Sequence, residues 1–489
     1  MRKFLAFVAA VILLGAALPL VAQERAQEAA QQGPVSPGVM RFVKVNAPVV
    51  VLQHVRVIDG TGAAPKDDQT VILSGGKIQS IGDAGSTSAP SGAPTAVKVL
   101  DLTGYSVIPG LVGLHEHMFY PAGKVPGYNE MDFSFPRLYL ASGVTTARTG
   151  GSLEPYTDLE VKKEIDAGHL VGPELRITGP YLEGHGAFTV QMHELKDADD
   201  ARRTVNYWAD EGVTSFKAYM HITRAELSAA IDEAHKRGIK VTGHLCSIGF
   251  REATALGIDN LEHGLLVDTE FNPGKKPDEC DEIQTDHRIA ELDLESAPVK
   301  EMIQDLVSHH VAVTSTLPVF ETFVPNRPPL EERVLDAMVP DAREAYLTTR
   351  SRIGSHPRGD EAALLKKEMD FERAFVKAGG LLLAGEDPTG YGGDLAGFGD
   401  QREVELLVEA GFTPLEALRV ASANGAQFLG ESDRIGTLAA GKAANLVVIK
   451  GNPSKDIADI EKVEIVFKEG VGYDSAALIE SVRGSVGLH

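Results

Sequence analysis

The chain has 489 residues, 43% hydrophobic and 24% charged, with 47 Lys+Arg against 69 Asp+Glu and a net charge of −22. These fractions exclude a disordered tail protein, a collagen-like repeat and a multi-span membrane protein, and the negative field repels phosphate backbones, so no nucleic-acid partner is expected. Two cysteines make neither a disulfide framework nor a Cys-based zinc cluster, which leaves any metal to oxygen donors and the 15 histidines.

Arg2 and Lys3 precede an uncharged stretch from Phe4 to Ala22, which Pro19 interrupts before Leu20-Val21-Ala22. A basic start, an apolar run and a small residue at its end are the parts of a signal peptide, so residues 1–22 are read as an export signal cleaved after Ala22. An uncleaved anchor is the competing reading, because the run approaches the roughly 18 apolar residues that span a bilayer. Cleavage leaves no membrane partner and places the protein in a bacterial periplasm or outside the cell. Glu24–Met40 is polar and carries Pro and Gly, and residues 23–45 read as a linker. An oxidising compartment permits a Cys246–Cys280 bond, which nothing in their sequence context demands.

From Val49 to Gly82, short alternating apolar runs are separated by turn pairs such as Asp59-Gly60 and Gly75-Gly76, an all-β pattern. The same signal returns only at Ala444–Ile449 and Val463–Phe467. A small β-sandwich built from both chain ends, 46–107 and 431–489, accounts for the split.

Between them, residues 108–430 alternate apolar runs with helical periods. The runs are Ser106–Leu114, Val144–Thr149, Leu175–Thr178, Ser215–Tyr219, Lys240–His244, Asn260–His263, Val311–Thr316 and Leu381–Asp387. The helices include Leu153–Ala167, Asp197–Glu211, Arg224–Arg237, Val299–His309, Glu361–Lys377 and Pro414–Leu429. Eight strands with helical crossovers predict an α/β fold, a (β/α)8 TIM-type barrel. A doubly wound sheet is the alternative, but no G-x-G-x-x-G follows the first strand.

Barrel chemistry sits where strands end, so polar residues there are the candidates. The first run ends in His115-Glu116-His117, whose two imidazoles share one face at i and i+2. Lys217 ends the fourth run amid apolar neighbours, a costly place for a charged amine. His244 ends the fifth, His263 the sixth and Asp387 the eighth. Read alone, His-x-His is a polar pair in a loop, Lys217 a donor to a backbone carbonyl, and Asp387 a turn residue before Pro388. It is the ordered set that points to one site.

That order closely resembles the amidohydrolase superfamily, in its binuclear-metal branch, over most of the chain. Ile435–Val448, with Gly436 and Gly441-Lys442-Ala443-Ala444-Asn445, looks like that family's return to its β domain. Asn445 and Thr149 stand where the family pattern usually has Asp. The resemblance implies His115, His117 and Asp387 on a first metal, and His244 and His263 on a second. It implies Lys217 carboxylated by CO2, the carbamate bridging both ions, with Asp387 as the proton-transfer residue. Two divalent ions are implied; zinc suits these ligands, and Mn or Co also fits.

Within the superfamily, Gly212–Tyr219 and Gly264–Asp278 look most like the Xaa-Pro dipeptidase and imidazolonepropionase-like group, with ochratoxin amidohydrolases similar. That implies a small amide or dipeptide substrate, cleaved next to a C-terminal carboxylate, with cyclic-amide or lactone hydrolysis as the alternative and a non-catalytic relative as the least favoured. Assembly into homo-oligomers is a family habit for which the sequence offers no independent sign. Tyr219, on the face of Lys217, and His185, after the third strand, are candidates to act on the substrate carbonyl. Arg148 and Tyr120 are further candidates for substrate binding. A satisfied structural histidine explains His185 equally well, and a buried salt bridge explains Arg148.

Overall fold

The computed structural model describes residues 35–85, 96–121, 127–281, 285–388 and 392–487. The expected signal peptide and the linker up to residue 34 lie outside the described residues. Among the described residues, no helix is long and apolar enough to cross a membrane.

The middle of the chain is a mixed α/β fold. Leu111–Glu116, Val144–Thr149 and Glu174–Arg176 form a three-stranded parallel sheet. Ser215–Ala218, Lys240–Gly243, Asn260–Glu262, Ala312–Ser315 and Leu382–Ala384 form a five-stranded parallel sheet in chain order. Nearly every residue in these strands is buried, which explains why they read as continuous apolar runs. Parallel bridges Thr178↔Ser215 and Leu182↔Ala218 join the two sheets. At the opposite edges the Asp387 N–H donates to the His115 carbonyl at 3.0 Å. Gly385 makes that approach feasible, since a Cβ there would lie 2.4 Å from the His115 Cβ.

Helices fall where their period predicts them: Pro155–Asp166, Ala198–Glu211, Arg224–Lys236, Ala297–Ser308 and Glu361–Lys377. Their starts follow local chemistry. Asp197 caps the second by accepting from Asp200 N–H, and Thr223 with Glu226 closes a capping box on the third. The last predicted helix, Pro414–Leu429, is interrupted by a π-helical turn at Val420–Asn424, whose Asn424 side chain donates to the Leu382 carbonyl at 2.8 Å.

Both chain ends meet in one nine-stranded sheet. Six strands come from Val43–Pro109 and three from Leu446–Asp474, joined where Tyr105–Pro109 pairs antiparallel with Leu446–Lys450. Val49–Val57 changes partner within itself, pairing with Val97–Asp101 early and Ser106–Val107 late, around His54 at φ 58°. The run Ser106–Leu114 is therefore two strands, broken at Gly110 and belonging to two sheets. The linker also ends earlier than expected. Pro37–Met40 is helical and Val43–Val45 pairs with Val471–Asp474, because Val39, Phe42 and Val45 are buried.

An ion network ties the two parts together. Arg176 donates to Glu431 at 2.7 Å, Arg434 to Glu174 at 3.0 Å, and the Asn445 amide to Glu174 at 2.9 Å. Asn445 Oδ1 accepts from the Glu469 N–H at 2.7 Å. An Asp at this position would set a second carboxylate against half-buried Glu174, which accounts physically for the Asn. Burial pushes Glu174 up, but Arg434 and Arg176 hold it down at about 2.

Candidate metal centre

The six strand-end residues form one centre. His115, His117, Lys217, His263 and Asp387 are buried and His244 is half-buried. His115 and His117 sit at i and i+2, as the strand period requires. His263 directly follows inward-facing Glu262 and would point away, but it adopts φ 67°, and Asp387 adopts φ 58°. Left-handed backbone at non-glycine residues costs energy and gathers at functional sites. Here it turns both side chains into the centre.

The ring centroids of His115 and His263 lie 4.5 Å apart, and those of His263 and His244 4.3 Å. Asp387 Oδ1 is 3.0 Å from His117 Nε2, and Oδ2 is 3.8 Å from His263 Nδ1. Ligand atoms of His115, His263 and Asp387 all fall within 4.8 Å of one another. This triple crosses the two expected ligand sets and makes the centre a single compact cluster.

The donor chemistry fits metal ions. His115 Nδ1 is 2.9 Å from Glu262 Oε2, and His117 Nδ1 is 3.3 Å from the Gly151 carbonyl. The Glu262 carboxylate only accepts, so His115 Nδ1 carries the proton and its Nε2 turns a lone pair to the centre; His117 faces oxygen acceptors on both nitrogens, with Asp387 at Nε2, a pairing that a metal ion between Nε2 and Asp387 would satisfy. His263 Nε2 is buried with no hydrogen-bond partner, an orphan that a metal would satisfy. Burial, with Lys217 beside it, lowers His244 to about 3, and burial lowers His117 to about 4, so both rings are neutral, as metal binding would require. Burial alone would raise Asp387, but His115 and His117 hold it well below the usual carboxylate range.

Lys217 Nζ lies 2.8 Å from His115 Nε2, with Tyr181 and Tyr219 rings at 5.6 and 5.8 Å. Burial pushes its amine down to about 8. Tyr219 stands at the mouth, its ring centroid 4.9 Å from His244 and 4.8 Å from Tyr181. Phe119, stacked on His117 at 4.3 Å, and Tyr128 and Phe188 extend this aromatic wall.

Three candidates sit elsewhere. The His185 side chain is 97% exposed and pairs with Glu194 at 2.9 Å on a surface loop. Tyr120 is buried, its hydroxyl accepting from the Gly393 N–H at 3.3 Å, which pins that loop. Arg148 is fully committed inside the fold. It donates to Ser215 Oγ at 3.2 Å, Thr242 Oγ1 at 2.7 Å, Glu262 Oε1 at 3.1 Å and the Leu114 carbonyl. It therefore orients Glu262, which orients His115.

Sequence reasoning missed Glu262. Its place two residues after inward-facing Asn260 was the available signal. Burial would push it up, yet Arg148 and His115 hold it well below the usual range. Cys246 and Cys280 are bonded, and Lys275 Nζ donates to the Cys246 carbonyl at 2.9 Å, tying loop 264–281 beside His244.

Residues 106–471 match the family model described as amidohydrolase family. No curated protein sequence matches the chain. Among solved structures, a candidate prolidase from Bifidobacterium longum is 25% identical, with TM-score 0.63, over 89% of this chain and 98% of that one. Ochratoxinase from A. niger is 19% identical, with TM-score 0.62, over 88% and 96%. Bottromycin amidohydrolase is 19% identical, with TM-score 0.66, over 95% and 96%. The last two share the fold. Because the family match takes in all six residues of the centre, from His115 to Asp387, the chain belongs to the amidohydrolase family.

Proposed function

We propose that this hydrolase cleaves an amide bond next to a C-terminal amino acid carboxylate, in N-acyl amino acids, Xaa-Pro-type dipeptides or ochratoxin-type amides. The observation that carries the reading is the cluster of His115, His263 and Asp387, with the Lys217 amine 2.8 Å from His115 Nε2. His115, His117 and Asp387 would hold one divalent ion and His244 and His263 a second, with zinc the first choice. Such ions supply an acidified water and a polarised carbonyl at neutral pH.

The chain's own residues do the rest. With its amine lowered to about 8, Lys217 keeps a neutral fraction that adds to CO2, forming an N–C bond and releasing a proton. The resulting carbamate turns a buried cation into an anion matched to dications. Asp387 takes the proton from the attacking water and delivers it to the leaving amine. Tyr219 hydrogen-bonds the substrate carbonyl or carboxylate, a role that Arg148 is too occupied to share. The wall of Phe119, Tyr128, Tyr181, Phe188 and Tyr219 packs the apolar part of the substrate.

In this reading the eight parallel strands close into a (β/α)8 barrel and the end sheet folds as a sandwich. Arg148 supports closure, since it bonds to residues of the first, fourth, fifth and sixth strands at once. Export is part of the proposal, and the Cys246–Cys280 bond supports it, because such bonds persist in oxidising compartments. The test is turnover by zinc-loaded mature protein of N-acyl amino acids, Xaa-Pro dipeptides and ochratoxin A, with lactones alongside. Amide turnover is expected; lactone turnover without amide turnover overturns the substrate assignment.

A further inference from the structure

Behind the histidines lies a second cluster of chemistry that the mechanism does not use. Glu116 sits between His115 and His117 and so points to the opposite side of its strand. Glu386 precedes Asp387. Ligand oxygens of Glu116, Glu386 and Asp400 fall within 4.8 Å of one another, and all three residues are buried. A fourth carboxyl, Asp394, comes in from a separate loop. It is 4% exposed, and neither of its oxygens has a hydrogen-bond partner. It comes up against Glu386: a Cβ built on Gly399 would meet Asp394 Oδ1 at 2.1 Å and Glu386 Oε2 at 2.4 Å, so the two carboxyls lie side by side.

Little on the protein side compensates these groups. The Asp400 N–H, in the first turn of helix Phe398–Glu409, donates to Glu386 Oε2 at 2.9 Å. Glu386 Oε1 and Asp400 Oδ2 remain without partners. The Tyr139 hydroxyl, which donates to the His117 carbonyl at 2.9 Å, is the other neutral group beside Glu116. Among the described residues, no Lys or Arg forms an ion pair with any of the four. Four buried carboxyls with open oxygens and no counter-ion are costly as anions, so they either hold protons or gather around something positive.

We propose that Glu116, Glu386, Asp394 and Asp400 bind one hard divalent cation of Ca2+ size, behind the strands that carry His115, His117 and Asp387. An all-oxygen donor set selects hard cations over zinc. Three oxygens no more than 4.8 Å apart place a common centre within about 2.8 Å of each, in reach of Ca2+–O bonds of about 2.3–2.6 Å. Mg2+ is disfavoured because it keeps several of its waters and is usually bound through one or two carboxylates rather than four. The cation would fix the backbone that presents three residues of the metal centre.

The experiment loads the protein with two equivalents of Zn2+, equilibrates it with CaCl2, desalts it and counts both metals per chain alongside thermal melting. The wild type is expected to retain about one Ca2+ and to melt higher with Ca2+ than without. Asp394→Asn should lose the Ca2+ and keep the zinc. Gly399→Ala, which fills the space with a methyl group and changes no charge, should do the same if Asp394→Asn folds poorly. No retained Ca2+ and an unchanged melt in the wild type overturn the proposal, leaving carboxyls that share protons; Ca2+ retained in both variants overturns it as well. Neither readout involves substrate, so failure here is separable from failure of the amide assignment.

Discussion

Asp387 carries the heaviest chemical load of any single residue. Asp387→Asn keeps the size and an oxygen ligand but cannot take a proton. Turnover should fall about 10²- to 10⁴-fold, with zinc content largely kept; retained turnover would contradict its proton-transfer role. Glu262 acts through His115. Glu262→Gln leaves Arg148 and His115 Nδ1 without their shared anion, and zinc affinity in a chelator competition should drop roughly 10- to 100-fold, an effect that packing alone would not produce. The six residues of the centre were legible because each closes an apolar run, where a parallel strand delivers its side chain. Glu262 and the occupation of Arg148 were not, since their partners lie many tens of residues away and leave no local period. His185 read as a site residue because it follows the third strand, yet its loop turns it to solvent against Glu194.

At the level of elements, the join between the nine-stranded sheet and the parallel strands rests on Glu174, Arg176, Glu431, Arg434 and Asn445. Asn445→Asp should destabilise the fold by about 2–3 kcal/mol, read as a lower urea midpoint at unchanged slope, because a donor to half-buried Glu174 becomes a like charge. The Cys246–Cys280 bond closes a 34-residue separation, which a chain-entropy estimate values at about 3–4 kcal/mol. The double Cys→Ser variant should melt lower and be nicked first within loop 264–281 under limited proteolysis. The helices read from period and caps lie within a few residues of their predicted places, while Pro340–Ser355 and Phe398–Glu409 were not read. Two strand assignments were not legible. Ser106–Leu114 is one apolar run that serves two sheets, and Val43–Val45 is too short for its alternation to stand out from a linker.

For the molecule as a whole, acid should act through Glu174. Its ordinary value of 4.5 is lowered to about 2 in the folded protein. A depressed carboxyl contributes its stability above the unfolded value and loses it as pH falls through the folded one. About 3 kcal/mol should therefore disappear between roughly pH 4.5 and pH 2, and Glu174→Gln should flatten that part of the curve. The α/β class and a β unit drawn from both ends were legible in the alternation of runs and helices; single hydrogen bonds such as Asp387 N–H to the His115 carbonyl were not, because they join residues at opposite ends of the central segment. The central claim is amide hydrolysis by metal held at His115, His117, Lys217, His244, His263 and Asp387. The most direct measurement is amide turnover by chelator-stripped protein titrated with Zn2+. Turnover should be absent at the start and rise to a plateau at two equivalents per chain; amide turnover that persists in the metal-free protein would contradict the claim.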